Sequence, residues 1–254
     1  MKNTRYIYIG GIIIFIITCI ISAIYITNEE SFANNSSNII FLNKTETQDF
    51  IYKDSDNYIK SLSIYDLFAR KVINTSEYME KVIKSCLDFS EIQKEKIRRC
   101  AKIAKSFFDN GYIWKFSLID KDYEEGFPHT RKDIIFLSPK VIDNNDDELI
   151  KILIHESIHI YQRYNKNIIK YLRENNYTVS RRRDTEPLIR ANPDLDEYIY
   201  MDEYGKEMIY KYKSTRPTGI NDIIPNKNEH PFEKMAYEIS EDYGKFKISK
   251  YKYI

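Results

Sequence analysis

The stretch Leu149-Ile150-Lys151-Ile152-Leu153-Ile154-His155-Glu156-Ser157-Ile158-His159-Ile160 restricts the folds open to this chain more than any other. Its aliphatic residues follow Asn144-Asn145-Asp146-Asp147-Glu148, which offers N-cap candidates and first-turn acids. The segment therefore reads as a buried helix from about 146 to 163. On a helix, residues four apart share a face, so His155 and His159 can turn both imidazoles toward one metal ion. Glu156 falls about 100° further round, beside such a metal rather than on it, where a general base for a water molecule belongs. The plain alternative makes both histidines core or solvent-facing and Glu156 a surface charge. A third ligand downstream would count against it.

Such a candidate exists in Glu229-His230-Pro231-Phe232-Glu233-Lys234-Met235-Ala236-Tyr237-Glu238, where Pro231 at a first helical position marks a helix start. His155-Glu156-x-x-His159 followed by Glu233-x-x-Ala236 resembles the gluzincin arrangement of zinc metallopeptidases. The resemblance implies that Glu233 is the third ligand and that Ala236 is the small residue letting two helices approach, with Glu238 as rival ligand. It implies one Zn2+ per chain and hydrolysis of peptide bonds in a peptide or protein substrate, with Glu156 as general base. It also implies an α+β, zincin-like fold, mainly helical, with a small sheet beside the HExxH helix. Those enzymes bind an extended peptide along an exposed sheet edge, which would bring His129 and Thr130 near the cleft. The donor to a developing oxyanion stays open among His129, His230 and a cleft tyrosine such as Tyr237, and His230 has the competing role of helix cap. The alternative function is a membrane-anchored, non-catalytic binding protein whose motif is relic or accidental. Against a purely structural zinc stand the absence of cysteine ligands and the presence of Glu156, which such a site does not need.

Charge excludes one partner class. With 39 basic and 38 acidic residues the net charge is +1, and no pull toward nucleic acid follows. At the N-terminus, Lys2 and Arg5 precede the uncharged run from Tyr6 to Ile26, long enough for a bilayer core of about 30 Å, and Glu29 and Glu30 follow. The expected organisation is a cytoplasmic tip and signal-anchor helix over 1–27, a polar stalk over 28–58 and the metallopeptidase domain over 59–254. This single-pass topology puts the domain on the luminal or extracellular side. A cleaved signal peptide, with Ser31-Phe32-Ala33 as cleavage site, would instead give a secreted protein. Cys86 and Cys100 are a possible disulfide or two buried thiols, and Asn34, Asn35, Asn43, Asn74 and Asn176 begin glycosylation sequons.

Between stalk and metal helix, Ser63-x-x-Asp66 and Ser90-x-x-Gln93 announce helix starts, and a further helix is expected near Glu77 to Leu87. The period then changes to that of strands at 112–120 and 133–138, with Gly126-Phe127-Pro128-His129-Thr130 as a loop between them. After the metal helix, 165–174 reads as helical and Ser180-Arg181-Arg182-Arg183-Asp184 as a solvated basic loop. Arg190-Ala191-Asn192-Pro193-Asp194 reads as a turn, with short strands either side of Tyr204-Gly205. This insert between second and third ligands is expected to wall the substrate cleft.

Overall fold

Helix starts are written into side chains that reach back to their own backbone. In the computed structural model, which describes residues 39–225, 228–243 and 245, three capping boxes open α1 (Lys44–Lys53), α2 (Ile64–Ala69) and α4 (Glu91–Phe107). The pairs are Asn43 with Glu46, Ser63 with Asp66 and Ser90 with Gln93, each satisfying two otherwise orphaned amides. Asn74 caps α3 (Thr75–Ser85), and Asn145 caps α6 (Asp146–Tyr164) by accepting from the Glu148 amide at 3.0 Å. Short helices α5 (Pro139–Ile142) and α7 (Ile168–Glu174) flank α6, and α8 (Pro231–Glu241) starts at Pro231.

The main sheet runs in the order β1 (Ile39–Phe41), β3 (Trp114–Ile119), β5 (Ile134–Leu137), β4 (His129–Arg131), with β2 (Cys86–Leu87) also paired to β3. β3 and β5 are parallel, from Lys115 opposite Ile134 to Leu118 opposite Leu137, whereas β4 folds back antiparallel on β5. A second antiparallel sheet holds β6 (Thr178–Arg182), β7 (Tyr198–Met201) and β8 (Glu207–Met208). The fold class is α+β with one small mixed sheet beside the long helix.

α6 packs between α4 and α8 and touches β4 and β5 with another face. Leu149, Leu153, Ile154, Ile158 and Ile160 are fully buried, as its aliphatic density requires. Ala101 and Ala104 on α4 and Ala236 on α8 are also fully buried, and their small side chains suit close helix approach. Charges lie deep in the rest of the interior. Glu124 accepts from Arg70 Nε at 2.9 Å, Arg70 Nη2 at 2.5 Å, Tyr58 Oη at 3.1 Å and Tyr78 Oη at 2.6 Å. Arg131 is clamped by Asp54, Asp56 and the Tyr123 hydroxyl.

Several expectations change. The anchor over 1–27, sequons Asn34 and Asn35 and the first part of the stalk lie outside the described residues; among those described, no helix is long and apolar enough to cross a membrane. Residues 39–58 are not stalk: they form β1 and α1, and Ile51 and Tyr58 enter the core. Mostly polar residues at the exposed positions of α1 hide that contribution from a reading of composition. Cys86 and Cys100 are unbridged buried thiols; Cys86 Sγ hydrogen-bonds to Val82 O at 3.4 Å, and burial pushes the two groups up to about 12 and about 11. The basic knot is ordered too. Arg183 is buried and reaches Asp66 and the Ser61 carbonyl, whereas Arg181 pairs with Glu186 and Glu207 nearer the surface and Ser180, Arg182 and Asp184 are exposed as expected. His129 and Thr130 lie in a strand rather than a loop, because Lys132, with φ of 52°, turns the chain straight into β5. No glycine or asparagine signals that turn.

Candidate metal centre

Helix geometry alone brings the first two donors together. His155 and His159 sit one turn apart on α6, and their Nε2 atoms approach to 3.0 Å. Glu233 enters from the first turn of α8, its Oε2 lying 3.3 Å from His155 Nε2 and 3.7 Å from His159 Nε2. Those separations average about 3.3 Å, the edge of a tetrahedron whose centre-to-corner distance is a zinc–nitrogen bond of about 2.0–2.1 Å. Two imidazoles and one carboxylate also match the donor chemistry of zinc sites that keep a fourth position open. The three residues are the one cluster with metal-ligand spacing among the described residues. Glu238, the rival ligand, lies on the exposed face of α8 and outside the cluster.

The donors are held from behind. His159 Nδ1–H donates to Gln162 Oε1 at 2.8 Å, which leaves the Nε2 lone pair facing the cluster. Gln162 in turn donates through Nε2 to the Phe232 carbonyl at 2.8 Å, tying α6 to the first turn of α8. Asn192 Nδ2 donates to Glu233 Oε1 at 2.6 Å, and its Oδ1 accepts from the Asp194 amide at 3.0 Å. Burial resists ionisation of Glu233, but hydrogen bonds and charge from His155 and His159 outweigh it and hold the carboxyl well below the usual range.

Glu156 is buried beside the cluster, and its Oε2 has no hydrogen-bond partner. Burial first, then the charges of Asp194 and Glu233, push its carboxyl well above the ordinary glutamate value, with Arg163 acting in the opposite sense. A buried acid oxygen without a protein donor, next to three converging donor atoms, fits a group bound there from outside the chain.

A cleft of about 380 Å³ opens over these residues. One wall is Phe127-Pro128-His129, another the loop 190–194 with Asn221, and a third carries Tyr237. The insert between the second and third ligands thus forms part of the cleft. Tyr237 is half exposed, its ring packs at 4.6 Å against His155, and burial raises its hydroxyl to about 12, so it stays an O–H donor near neutrality.

Two candidates for the reaction are placed otherwise. His129 stacks on Phe136 at 5.0 Å and donates its Nδ1–H to the Phe127 carbonyl at 3.0 Å; burial lowers its pKa and keeps it neutral, so Nε2 has no proton to offer an oxyanion. His230 is the cap of α8, Nδ1 accepting from the Phe232 amide at 3.2 Å, and lies outside the cleft lining. Its competing role as helix cap is the one the structure displays.

Sequence reasoning passed over Gln162, Asn192 and Asp194. Gln162 was within reach of it, being three residues after His159 on the same helix face. Asn192 and Asp194 belong to a turn whose partners lie on β4 and α8, and no local pattern marks them. No protein-family model, curated protein or solved structure is detectably similar to the chain.

Proposed function

We propose that the protein is a zinc-dependent metallopeptidase of gluzincin type on a zincin-like fold, with His155, His159 and Glu233 holding one zinc ion and Glu156 as general base. The observation that carries this reading is the tetrahedral-edge spacing of the three donors beside the unpartnered Glu156 oxygen, under a cleft open to ligand. Zinc in such a site supplies a Lewis acid that polarises a carbonyl and acidifies a water molecule. Glu156 would take the proton from the attacking water and return it to the leaving amine, and its Oε2, which no protein donor occupies, is the atom available for that transfer. The Tyr237 hydroxyl is the cleft donor best placed to meet developing negative charge on the carbonyl oxygen. Gln162 and Asn192 keep His159 and Glu233 in register. A non-catalytic role has no use for Glu156, and three ligands rather than four argue against zinc as structural glue.

The full-length chain should purify with close to one zinc per molecule and cleave peptides of a denatured proteome digest. Glu156→Gln should retain the zinc and lose about 10²–10⁴-fold in turnover. Metal-free protein that cleaves the digest as fast as the zinc form would end the proposal.

A further inference from the structure

The cleft wall from 126 to 130 has no main-chain donors left for a bound chain. The Gly126 amide bonds the Tyr123 carbonyl at 2.8 Å and the Phe127 amide bonds the Glu124 carbonyl at 3.1 Å. Pro128 has no N–H. The Thr130 amide, on the edge strand β4, is held by Asp194 Oδ1 at 2.5 Å, with the Thr130 hydroxyl on the same oxygen at 2.9 Å. Backbone groups of alternate residues in an antiparallel strand point the same way, so an outward Thr130 turns the His129 amide inward to Phe136 on β5. The strand addition expected from the gluzincin resemblance is therefore blocked on this wall. On this wall a substrate finds no main-chain donor, which leaves side chains of the cleft to supply donors.

Among the charged side chains of the cleft, all but one are acidic or already matched. Glu156, Asp194 and Glu233 are carboxylates at the centre, and Glu148 and Glu241 each lie 3.8 Å from the Lys151 ammonium. Glu124 is bound to Arg70. Arg190 differs: its guanidinium lies 5.1 Å from the centroid of the Tyr210 ring and reaches Asn221 Oδ1 at 3.5 Å, and no carboxylate among the described residues pairs with it. Its backbone is fixed, since the Arg190 amide bonds the Tyr210 carbonyl at 2.9 Å and the next amide, of Ala191, bonds Asp66 Oδ1 at 2.8 Å. Two residues on, the same loop presents Asn192 to Glu233. A planar, always-charged fork stacked on a ring and lacking an anion is a ready receptor for a carboxylate.

We propose that Arg190 is a substrate-carboxylate subsite, so that the preferred substrates are short peptides or chain segments carrying a carboxylate on the Arg190 side of the scissile bond. This rests on the peptidase reading above. The carboxylate has two sources, a free C-terminus or an acidic side chain.

Binding to the zinc-loaded, full-length Glu156→Gln protein tests it without turnover, by calorimetry with four probes. Acetyl-trialanine acid against its amide isolates the C-terminal carboxylate; acetyl-Ala-Glu-Ala amide against the Gln analogue isolates the side chain. At least one carboxylate probe should bind about tenfold or more tightly than its neutral partner. Adding Arg190→Gln should abolish that preference, which separates a contact to Arg190 from one to zinc, and Arg190→Lys should restore part of it. The wild-type acid and amide comparison stands even if a variant folds poorly. No binding by any probe, equal affinities, or a preference that survives Arg190→Gln overturns the subsite. A carboxylate preference lost in Arg190→Gln, together with a wild-type zinc form that cleaves nothing, would instead refute the peptidase reading and leave the subsite standing.

Discussion

Replacing Gln162 by leucine removes two buried hydrogen bonds with one nearly isosteric change. In the native protein Gln162 accepts from His159 Nδ1–H and donates to the Phe232 carbonyl, each at 2.8 Å, and it is almost fully enclosed. Leucine leaves a buried imidazole N–H without a partner, at a cost of about 1–3 kcal/mol, and takes from the Phe232 carbonyl a contact additional to its helical bond with the Ala236 amide, at about 0.5–1.5 kcal/mol more. Against a typical total stability of about 5–15 kcal/mol the loss is large enough to read in a urea titration. The same change frees the His159 ring to rotate or exchange tautomer, which for a partner of a ligating histidine lowers metal affinity by about 10–100-fold. The assay is therefore double: chemical unfolding of metal-free protein, and zinc competition against a fluorescent chelator. Gln162→Glu separates the two effects, because a carboxylate still accepts from His159 but cannot donate to Phe232. It should keep the zinc affinity and still lose stability. A Gln162→Leu protein with native unfolding midpoint and native zinc affinity would show that this bridge neither orients His159 nor ties α6 to α8.

Three further outcomes follow from other parts of the structure. Glu124→Gln should destabilise the fold by about 1.5–3 kcal/mol, since it removes the nearer of the two buried carboxylates that face the Arg70 guanidinium and leaves only Asp66 at 3.8 Å. Burial opposes ionisation of Glu124, but Arg70 overrides it and lowers the carboxyl below 4.5, so its contribution is complete above that value and fades as pH falls through the folded-state pKa. Acid unfolding of the variant should accordingly be shallower than that of wild type below pH about 4.5, and identical acid profiles would contradict the assignment. Asn192→Ala, which strips the donor from Glu233 Oε1, should weaken zinc binding about 10–100-fold with a smaller effect on the unfolding midpoint, both measurable in the same competition assay. Cys86 and Cys100 should react with iodoacetamide only after denaturation, and a reducing agent should leave the thermal midpoint where it is; a midpoint that drops on reduction would reveal a bridge.

What the sequence disclosed depended on how local each signal was. α6 was legible because acids, cap and aliphatic residues fall in one window, and its observed bounds lie within a residue of those read from the chain. The capping boxes at Ser63 and Ser90 place α2 and α4 in the same way. The convergence of Glu233 on His155 and His159 was expected from the gluzincin resemblance, which matches Glu233 to the third ligand, while Pro231 marks only where α8 begins. Contacts between distant segments left no such trace. Thr130 looks like any loop threonine until Asp194 is seen to hold both its amide and hydroxyl, and Arg183 looks solvated until Asp66 and Glu197 are found beside it. α1 is hard to see because it buries only Thr47 and Ile51 and its apolar run, Phe50-Ile51-Tyr52, is too short to show a helical period.

The split of the three donors between α6 and α8 also sets when they can meet. During synthesis the two imidazoles leave the ribosome together, while the carboxylate that completes their triangle trails them by the whole insert that carries β6, β7 and β8. A nascent chain thus holds only two of the three donors until Pro231–Glu241 has been made, and a truncation ahead of Pro231 keeps both imidazoles but removes the carboxylate.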